Sequence, residues 1–329
     1  MGDNASDVLM EEVLACSFDR WYEEFQDVTF ASRAISLPED FVQYLLADGV
    51  RVPVQADAAS SDDSQWGDGG SDSEGSQHGA NDLCFPEVEE AVRLAIADLD
   101  GSVLPKLNWS APKDARWLFG TLQCRTVEDV FTLLKSSDFI AHDLCHSFDH
   151  CADRAGGRSR PDVFKLVLRE WRAVDEASEF RCFVRERQLR AVSQRHTSLF
   201  FPHLVDPEFT GSVVQKIAQF FEERVRASFP LERYAFDVLL GKPPRLRVRL
   251  VDFSPWAPST DPLLFDWEEL RVPLAAGEPE FRSVEREGQG RAKLENYHAV
   301  PLEVAELGIA SPEEMEELCR RAQGGAAGG

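Results

Sequence analysis

Alternating apolar and polar positions predict a β-hairpin between Tyr234 and Trp256. Its two runs, YAFDVLL and LRVRLVDFSPW, are separated by GKPP, whose glycine and prolines favour a turn. Because side chains alternate across a strand, Asp237 and Asp252 each fall on a mostly apolar row. The predicted rows are Ala235, Asp237 and Leu239 on the first strand, and Leu246, Val248, Leu250, Asp252 and Ser254 on the second.

Two carboxylates on adjacent strands allow two interpretations. A buried carboxylate needs a cation, a metal or several hydrogen-bond donors. Asp237 and Asp252, with a nearby neutral oxygen, have the oxygen ligands that Mg²⁺ prefers when it is bound to a nucleotide. Alternatively, one Asp pairs with an arginine and the other is exposed at the end of a strand. The spacing alone does not decide between these interpretations.

The rest of the pattern mixes helices with short strands, which predicts an α+β fold. Helical spacing of apolar residues covers residues 8–30, 88–101, 126–137 and 212–229. Thr126 is a capping residue at the start of the third helix, and Gly101 ends the second. The predicted strands are Phe41–Leu46, Val50–Val54, 102–106, 164–171 and a hairpin over 179–195, and a short helix or turn is predicted over 261–270. In that hairpin, Phe180, Cys182 and Val184 share one face.

Charge and cysteine usage limit the partners and the compartment. The net charge of −23 repels nucleic acid and anionic membranes and favours a basic protein surface as partner. The seven cysteines include no CxxC pair, which favours reduced thiols in the cytosol or nucleus. No run of about 18 uncharged apolar residues occurs, and the acidic start does not resemble a signal peptide. We therefore expect a soluble intracellular protein.

One segment has the composition of a metal site. HDLCHSFDHC places His142, His146 and His150 four residues apart. On a helix, His142 and His146 would share a face, as zinc ligands do. The segment lacks a clear apolar period and is followed by GGRSRP, so a surface loop with incidental histidines is the favoured interpretation.

The sequence contains the cations, hydrogen-bond donors and carboxylates that bind a nucleoside triphosphate with Mg²⁺. Lys106 and Arg181 on strands can neutralise phosphate charge, and the two carboxylates can hold Mg²⁺. The sequence contains no GxxxxGK[ST] P-loop, no kinase HRD or DFG motif and no GxGxxG after a strand. A strand-rich nucleotide clamp without a glycine-rich loop favours the ATP-grasp architecture.

Several long motifs resemble, in the same order, those of the cell division cycle protein 123 family. The motifs are PKLNWSAPKDA (Pro105–Ala115), KSSDFI (Lys135–Ile140), LVLREW (Leu166–Trp171), EFRCFV (Glu179–Val184), SQR (Ser193–Arg195), AFDV (Ala235–Val238), VDFSPW (Val251–Trp256) and LLFDWEEL (Leu263–Leu270). With the aromatic residues near the N-terminus, the resemblance covers most of residues 16–270.

The resemblance implies an ATP-grasp-like α+β fold whose two lobes clamp ATP with Mg²⁺. It also implies a cytoplasmic, monomeric chaperone that binds the gamma subunit of eukaryotic translation initiation factor 2 and promotes assembly of the heterotrimer. Such a protein supports translation initiation and cell-cycle progression. With the two lobes, we expect these segments: 1–54 (N-terminal helix and strand), 55–82 (an acidic insertion whose composition predicts disorder), 83–165 (first lobe), 166–271 (second lobe with the hairpin) and 272–329 (charged loop, a terminal helix capped by Ser311, and tail).

Site residues follow from the resemblance by position. Lys106 is the implied phosphate-contacting lysine. The adjoining nucleotide loop is Asn108, Trp109, Ser110, Ala111 and Asp114; the adenine-side strand is Arg169, Glu170 and Trp171; a further ribose or phosphate contact is Glu179 and Arg181. The implied metal ligands are Asp237 and Asp252, with Ser254 beside them.

Ser254 departs from the family pattern, which has Asp-Phe-Asn-Pro at the second aspartate, because here Ser254 occupies the position of the asparagine. A serine hydroxyl is a shorter neutral oxygen and reaches Mg²⁺ less directly than an asparagine amide. Three functions therefore stay open: an ATP-dependent chaperone, an ATP-grasp ligase that joins a carboxylate to an amine through an acyl-phosphate, and a non-catalytic scaffold with a degenerate site. No acceptor pocket is recognisable in the sequence, so no catalytic residue is predicted.

Overall fold

The computed structural model describes residues 8–47, 84–154, 157–242, 245–272 and 279–289. Its helices are α1 (Met10–Ala15), α2 (Phe18–Phe25), α3 (Glu39–Leu46), α4 (Pro86–Asp98), α5 (Val127–Lys135), α6 (Asp138–His146), α7 (Pro207–Phe220) and α8 (Trp267–Arg271). Its strands are β1 (Ser32–Leu37), β2 (Val103–Lys106), β3 (Phe164–Glu170), β4 (Glu179–Arg185), β5 (Gln188–Gln194), β6 (Tyr234–Leu240), β7 (Val248–Pro255) and β8 (Glu280–Arg282). Four predictions lie outside these residues: the strand Val50–Val54, the insertion at 55–82, the helix starting at Ser311 and the tail.

Local signals in the sequence account for several helix ends. The Thr126 hydroxyl accepts the Asp129 N–H at 3.1 Å, which caps the start of α5 as predicted. After α4, Gly101 adopts a φ of +76°, and its N–H donates to the Ile96 carbonyl at 2.9 Å. Glycine suits this left-handed position because it has no Cβ, and the predicted stop at Gly101 is therefore confirmed.

A three-stranded antiparallel sheet has the order β1-β3-β2. On one face of β3, Phe164, Leu166 and Leu168 pack against α3, α4, α5 and α6, and we call this cluster the first core. On the opposite face, Val167 belongs to a second apolar cluster, which we call the second core. Both faces of β3 are covered, and its centre is accordingly a run of three buried apolar residues, Leu166, Val167 and Leu168.

A five-stranded sheet has the order β7-β6-β4-β5-β8, with β8 parallel to β5. The predicted apolar face of β4, formed by Phe180, Cys182 and Val184, packs with α2 and α7 in the second core. The mixture of two sheets with packed helices confirms the predicted α+β class. The strand β8 was not predicted, because its three residues lie in a charged segment without a visible period.

Two helices replace structures that were predicted differently. The predicted strand Phe41–Leu46 is wrong, since these residues belong to α3, with Phe41, Val42, Tyr44 and Leu45 all buried. Buried positions at i, i+1, i+3 and i+4 fit a helix, and short apolar runs are ambiguous between the two structures. The predicted surface loop at His142 and His146 is also wrong, because both lie on α6. The long helix α7 begins at Pro207, before the predicted Ser212, with Asp206 as its cap.

A β-bulge in the β6–β7 hairpin changes the predicted faces. Asp252 lies opposite Asp237, but the next pair joins Leu250 to Val238, so Val251 is an extra residue. Adjacent residues of β6 point to opposite faces, so Leu250, opposite Val238, lies on the face of the second core, and Asp252, opposite Asp237, lies on the other face of the hairpin. The prediction of one row containing both Leu250 and Asp252 is wrong, because a strict two-residue period does not include a bulge.

Candidate nucleotide-binding site

Lys106 and Asp252 connect the two sheets. Lys106 ends β2, and its Nζ donates to Asp252 Oδ2 on β7. The lysine side chain is only 2% exposed, and its Nζ lies 5.5 Å from the centre of the Phe18 ring. Burial lowers the pKa of Lys106, and Asp252 acts in the opposite direction by favouring the charged amine. The charged form of the buried Lys106 is therefore stabilised by the Asp252 carboxylate.

Asp237 is held by Arg181 on the neighbouring strand. Arg181 Nε donates to Asp237 Oδ1 at 2.7 Å, and Nη2 donates to Oδ2 at 2.8 Å. The remaining nitrogen, Nη1, donates to the Asp261 carbonyl at 2.9 Å. Burial opposes the charge of Arg181, but Asp237 outweighs it and raises the pKa of Arg181 above its usual range. The alternative to a metal site was that one Asp pairs with an arginine while the other is exposed. Its first half holds, because Asp237 pairs with Arg181.

Arg169 on β3 is a buried cation with unused donors. Its guanidinium lies 5.6 Å from the centre of the Phe18 ring and 5.5 Å from that of Phe30. Arg169 is buried, with 7% exposure, and its Nε and Nη2 have no hydrogen-bond partner among the described residues. Burial lowers the pKa of Arg169, and the charge of Asp252 raises it. Buried donors normally have partners, so these two nitrogens suit an anionic ligand such as a phosphate.

The fold places these groups around one region. Lys106 pairs with Val167 on β3, two residues before Arg169, so Lys106 and Arg169 share one face of this sheet, and both lie near the Phe18 ring. Across from them, Asp237 and Asp252 are cross-strand partners. The sequence-predicted cations and carboxylates therefore come together at the meeting of the two sheets.

The predicted metal ligands share one face of the hairpin. Ser254 follows Asp252 by two residues and lies opposite Ala235, which precedes Asp237 by two, so its side chain is on the same side of the sheet as both aspartates. The described residues contain no group of three or more His, Cys, Asp or Glu that could hold a metal ion. Two carboxylates and one hydroxyl form a sparse set of hard oxygen ligands, which suits Mg²⁺ when phosphate oxygens and water complete its coordination.

Most residues of the predicted nucleotide loop have protein partners. Asn108 Nδ2 donates to Ser17 Oγ at 2.9 Å, and Trp109 Nε1 donates to the Val13 carbonyl at 2.9 Å. Ser110 bonds to Asp143 through both its N–H and its hydroxyl. These contacts fix the turn after Lys106 to α1, α2 and α6.

The same segment continues through Ala111 to Asp114. The Ala111 carbonyl accepts the Lys113 N–H at 2.7 Å. The Asp114 carboxylate accepts the Ser137 hydroxyl at 2.5 Å and the Asp138 N–H at 2.7 Å, which caps the start of α6. Asp114 is 4% exposed, so its visible task is to join this segment to α6.

Three further predicted residues lie beyond β3 and at the start of β4. Glu170 pairs with Arg172 at 2.7 Å and with Arg249 at 3.5 Å. Trp171 packs against the first core, and Glu179 bonds to His196 at 3.0 Å. Burial acts to raise the pKa of Glu179, but the neighbouring His196, Lys113 and Arg195 together hold this pKa well below its usual range. Glu179 is therefore an anion placed among cations, and nothing in its contacts assigns it to adenine or ribose.

Asp143 was not recognised as a site residue from the sequence. It lies on α6, is 6% exposed, and accepts the Ser110 N–H at 2.8 Å and the Ser110 hydroxyl at 2.9 Å. Burial raises the pKa of Asp143 to about 6. The sequence signal for Asp143 is a carboxylate three residues after Ile140, in a helical stripe whose buried members also include Leu144. That signal becomes visible only when the segment is interpreted as a helix.

The histidines of α6 do not form a metal centre in the structure. The rings of His142 and His146 lie 5.7 Å apart, and His146 Nδ1 lies 2.7 Å from Asp149 Oδ2. Burial and the neighbouring histidines lower the pKa of His142. The described part of the chain holds no cluster of three such ligands.

Comparison with known proteins decides the family. The model of the D123 family matches residues 21–308. The chain belongs to the D123 family. Among D123-family relatives, the "Translation initiation factor eIF2 assembly protein" of Botryotinia fuckeliana is 39% identical over 272 residues, which cover 80% of this chain. The chain spans 65% of the length of that relative and of a similar one from Sclerotinia sclerotiorum.

Other relatives match over a larger share of their length. The protein of the same name from Aspergillus niger is 37% identical, with 94% of this chain and 87% of the relative covered. "Cell division cycle protein 123" of Candida glabrata is 34% identical, with 95% and 92% covered. The resemblance to the cell division cycle protein 123 family that the motifs carried is confirmed.

A solved structure supports the same assignment. C-terminally truncated Cdc123 from Schizosaccharomyces pombe matches with a TM-score of 0.69 at 34% identity, covering 85% of this chain and 99% of that chain. This D123-family chain therefore has the same fold as Cdc123. In the part of the chain that the structure describes, no helix is both long and apolar enough to cross a membrane.

Proposed function

We propose that this D123-family protein binds ATP with Mg²⁺ where its two sheets meet. The observation that carries the proposal is Arg169, a buried guanidinium beside Lys106 and Asp252, two of whose donors have no hydrogen-bond partner among the described residues. Such a guanidinium suits phosphate oxygens, which accept two parallel N–H bonds. The proposed architecture is that of an ATP-grasp clamp.

Each residue of the site has a proposed task. Lys106, Arg169 and Arg181 supply positive charge for the phosphates, and the bidentate contact of Arg181 also fixes the orientation of Asp237. Asp237, Asp252 and Ser254 would hold Mg²⁺, which would neutralise phosphate charge. The turn after Lys106 is fixed by its own protein contacts and so presents the lysine at a constant position.

We further propose that the protein acts by binding, as a cytoplasmic monomer that assists assembly of eukaryotic translation initiation factor 2. The names of its relatives, which describe eIF2 assembly proteins, support this role. The proposed partner is the gamma subunit, and the net charge of −23 suits a basic protein surface. Nucleotide bound between the sheets would fix their relative position, and with it the surface offered to the partner.

Calorimetric titration with ATP, with and without Mg²⁺, tests the nucleotide site. Arg169→Gln should weaken ATP binding at least tenfold, and Asp252→Asn should remove most of the Mg²⁺ dependence. Arg33→Gln is the matched control, because Arg33 is an exposed arginine on the adjacent β1 that pairs with Asp98. ATP binding that is equally tight in Arg169→Gln and Arg33→Gln would contradict the assignment.

A binding assay with the purified gamma subunit tests the chaperone role. The wild type should retain the gamma subunit on an affinity resin, and more should be retained with Mg²⁺ and ATP than without them. No retention under either condition would overturn the proposed partner, whatever the outcome of the ATP titration.

A further inference from the structure

Asp143 accepts two hydrogen bonds from the turn that follows Lys106. Its Oδ2 accepts the Ser110 N–H at 2.8 Å, and its Oδ1 accepts the Ser110 hydroxyl at 2.9 Å. The turn itself is closed by the Leu107 N–H, which donates to the Ser110 carbonyl at 2.8 Å. Asp143 therefore holds the end of a tight turn whose other end directly follows Lys106.

The contact is not a helix cap. Asp143 lies inside α6, whose N-cap is Ser137, and its carboxylate occupies a buried position of the helix. A carboxylate at such a position is costly, because burial disfavours its charge. A polar contact that merely tied the turn to α6 would not need a charge.

The charge of Asp143 acts on Lys106. Burial lowers the pKa of Lys106, while Asp252 and, to a smaller extent, Asp143 raise it. The same attraction works in reverse, since Lys106 lowers the pKa of Asp143 against the effect of burial. Asp143 therefore stabilises the buried ammonium as well as the backbone that carries it.

We propose that Asp143 is a positioning residue that holds the Lys106 amine towards Asp252 through the Ser110 turn. The inference deepens the proposed function and rests on it only for the consequence in ATP binding. Its geometric part, the placement of Lys106, is independent of any nucleotide.

Two measurements on the full-length protein test the inference. The first is acetylation of the Lys106 amine by acetic anhydride, followed by mass spectrometry. In the wild type Lys106 is 2% exposed and should react slowly, whereas Asp143→Asn should increase its acetylation rate at least fivefold. The second measurement is the dissociation constant for Mg²⁺ and ATP, which Asp143→Asn should increase at least fivefold.

Asp129→Asn is the matched control. Asp129 accepts the backbone N–H groups of Arg125 and Thr126 at 2.9 and 3.1 Å, and so supports the same lobe without touching the Ser110 turn. This variant should leave both the acetylation of Lys106 and the ATP affinity of the folded protein within twofold of wild type. Equal effects of Asp129→Asn and Asp143→Asn would overturn the inference, because general loosening would then explain both.

Ser110→Ala keeps the test usable if Asp143→Asn does not fold. It removes only the hydroxyl bond and retains the backbone N–H bond, so Lys106 acetylation should increase about twofold to threefold. Unchanged acetylation in both Ser110→Ala and a folded Asp143→Asn would overturn the inference. Faster acetylation in a protein that binds no ATP would support the inference and contradict only the proposed function.

Discussion

Asp237 and Asp252 are direct cross-strand partners, yet each carboxylate is held by a cation from a different part of the fold. Arg181 on the adjacent β4 binds Asp237, and Lys106 from the other sheet binds Asp252. Two like charges facing each other across a hairpin repel, so both need compensation. The arrangement keeps two carboxylates together at the meeting of the sheets, and its energetics can be tested.

Removal of the Asp237 carboxylate should cost much stability. Asp237→Ala leaves the Arg181 guanidinium buried without its two strongest bonds, and we expect the free energy of unfolding to fall by about 3–5 kcal/mol. Asp27→Ala is the control, because Asp27 makes a similar bidentate contact with Arg224 at 2.8 Å, but on the surface. That loss should be below about 1 kcal/mol. Urea unfolding measures both, and equal losses would show that burial of Arg181 does not matter.

The Lys106–Asp252 pair should respond asymmetrically to substitution. Asp252→Asn leaves a lysine that is 2% exposed without its anion, and we expect a loss of about 3 kcal/mol. Lys106→Met leaves an aspartate that is 19% exposed and partly hydrated, so its loss should be nearer 1 kcal/mol. The double variant should be more stable than Asp252→Asn alone, because the buried charge of Lys106 is removed together with its partner. Urea unfolding of the three variants checks this order, and additive losses would contradict it.

The pKa of Asp143 predicts a pH dependence with a definite sign. Burial raises this pKa from 3.8 to about 6, so the native state binds the proton more tightly than the unfolded chain does. The contribution of Asp143 to stability is therefore greatest at low pH and is lost as the pH rises through about 6.

Comparison of the wild type with Asp143→Asn isolates this contribution. Between pH 7.5 and pH 4.5, the difference in free energy of unfolding should shift in favour of the wild type by roughly 2 kcal/mol. Urea unfolding of both proteins at each pH measures the shift. A difference that is constant across the range would show that Asp143 titrates normally in the native state.

Cysteine reactivity should report the packing of the second core. Burial raises the pKa of Cys16 and of Cys182 well above their usual value, whereas Cys84 is exposed. The thiolate is the reactive form, so a thiol reagent at pH 8 should modify Cys84 at least 100-fold faster than Cys16 or Cys182. Mass spectrometry of digested samples distinguishes the sites, and urea should make the rates similar. Rapid native modification of Cys182 would mean that the β4 face is open.

Much of the local structure follows from patterns that a sequence displays directly. Thr126 caps α5, Gly101 ends α4, and the alternation of Phe180, Cys182 and Val184 identifies the buried face of β4. These features depend on contacts between residues a few positions apart, so their signals stay in one window of sequence. The helix α3 shows the limit, because its short apolar run fits a strand as well as a helix.

The candidate site was predictable as a set of residues but not as an arrangement. The motifs identified Lys106, Arg169, Arg181, Asp237 and Asp252, and the structure places all five where the two sheets meet. The motifs did not reveal that Asn108, Trp109 and Asp114 use their polar groups to fix the turn. Asp143 was not predicted, because the sequence pattern favoured a loop where the structure has α6.

The sequence by itself therefore determined the α+β class, the start of α5 at Thr126 and the end of α4 at Gly101, the family, and the residue types available for a nucleotide. The tertiary structure decided which charge meets which. Lys106 and Asp252 are 146 residues apart along the chain, and only the packing of the sheets joins them. The Val251 bulge likewise exists because of its partner strand, and it places Asp252 and Leu250 on opposite faces of the hairpin. Local pattern encodes which face of an element is apolar, whereas pairing between distant buried charges depends on the complete fold.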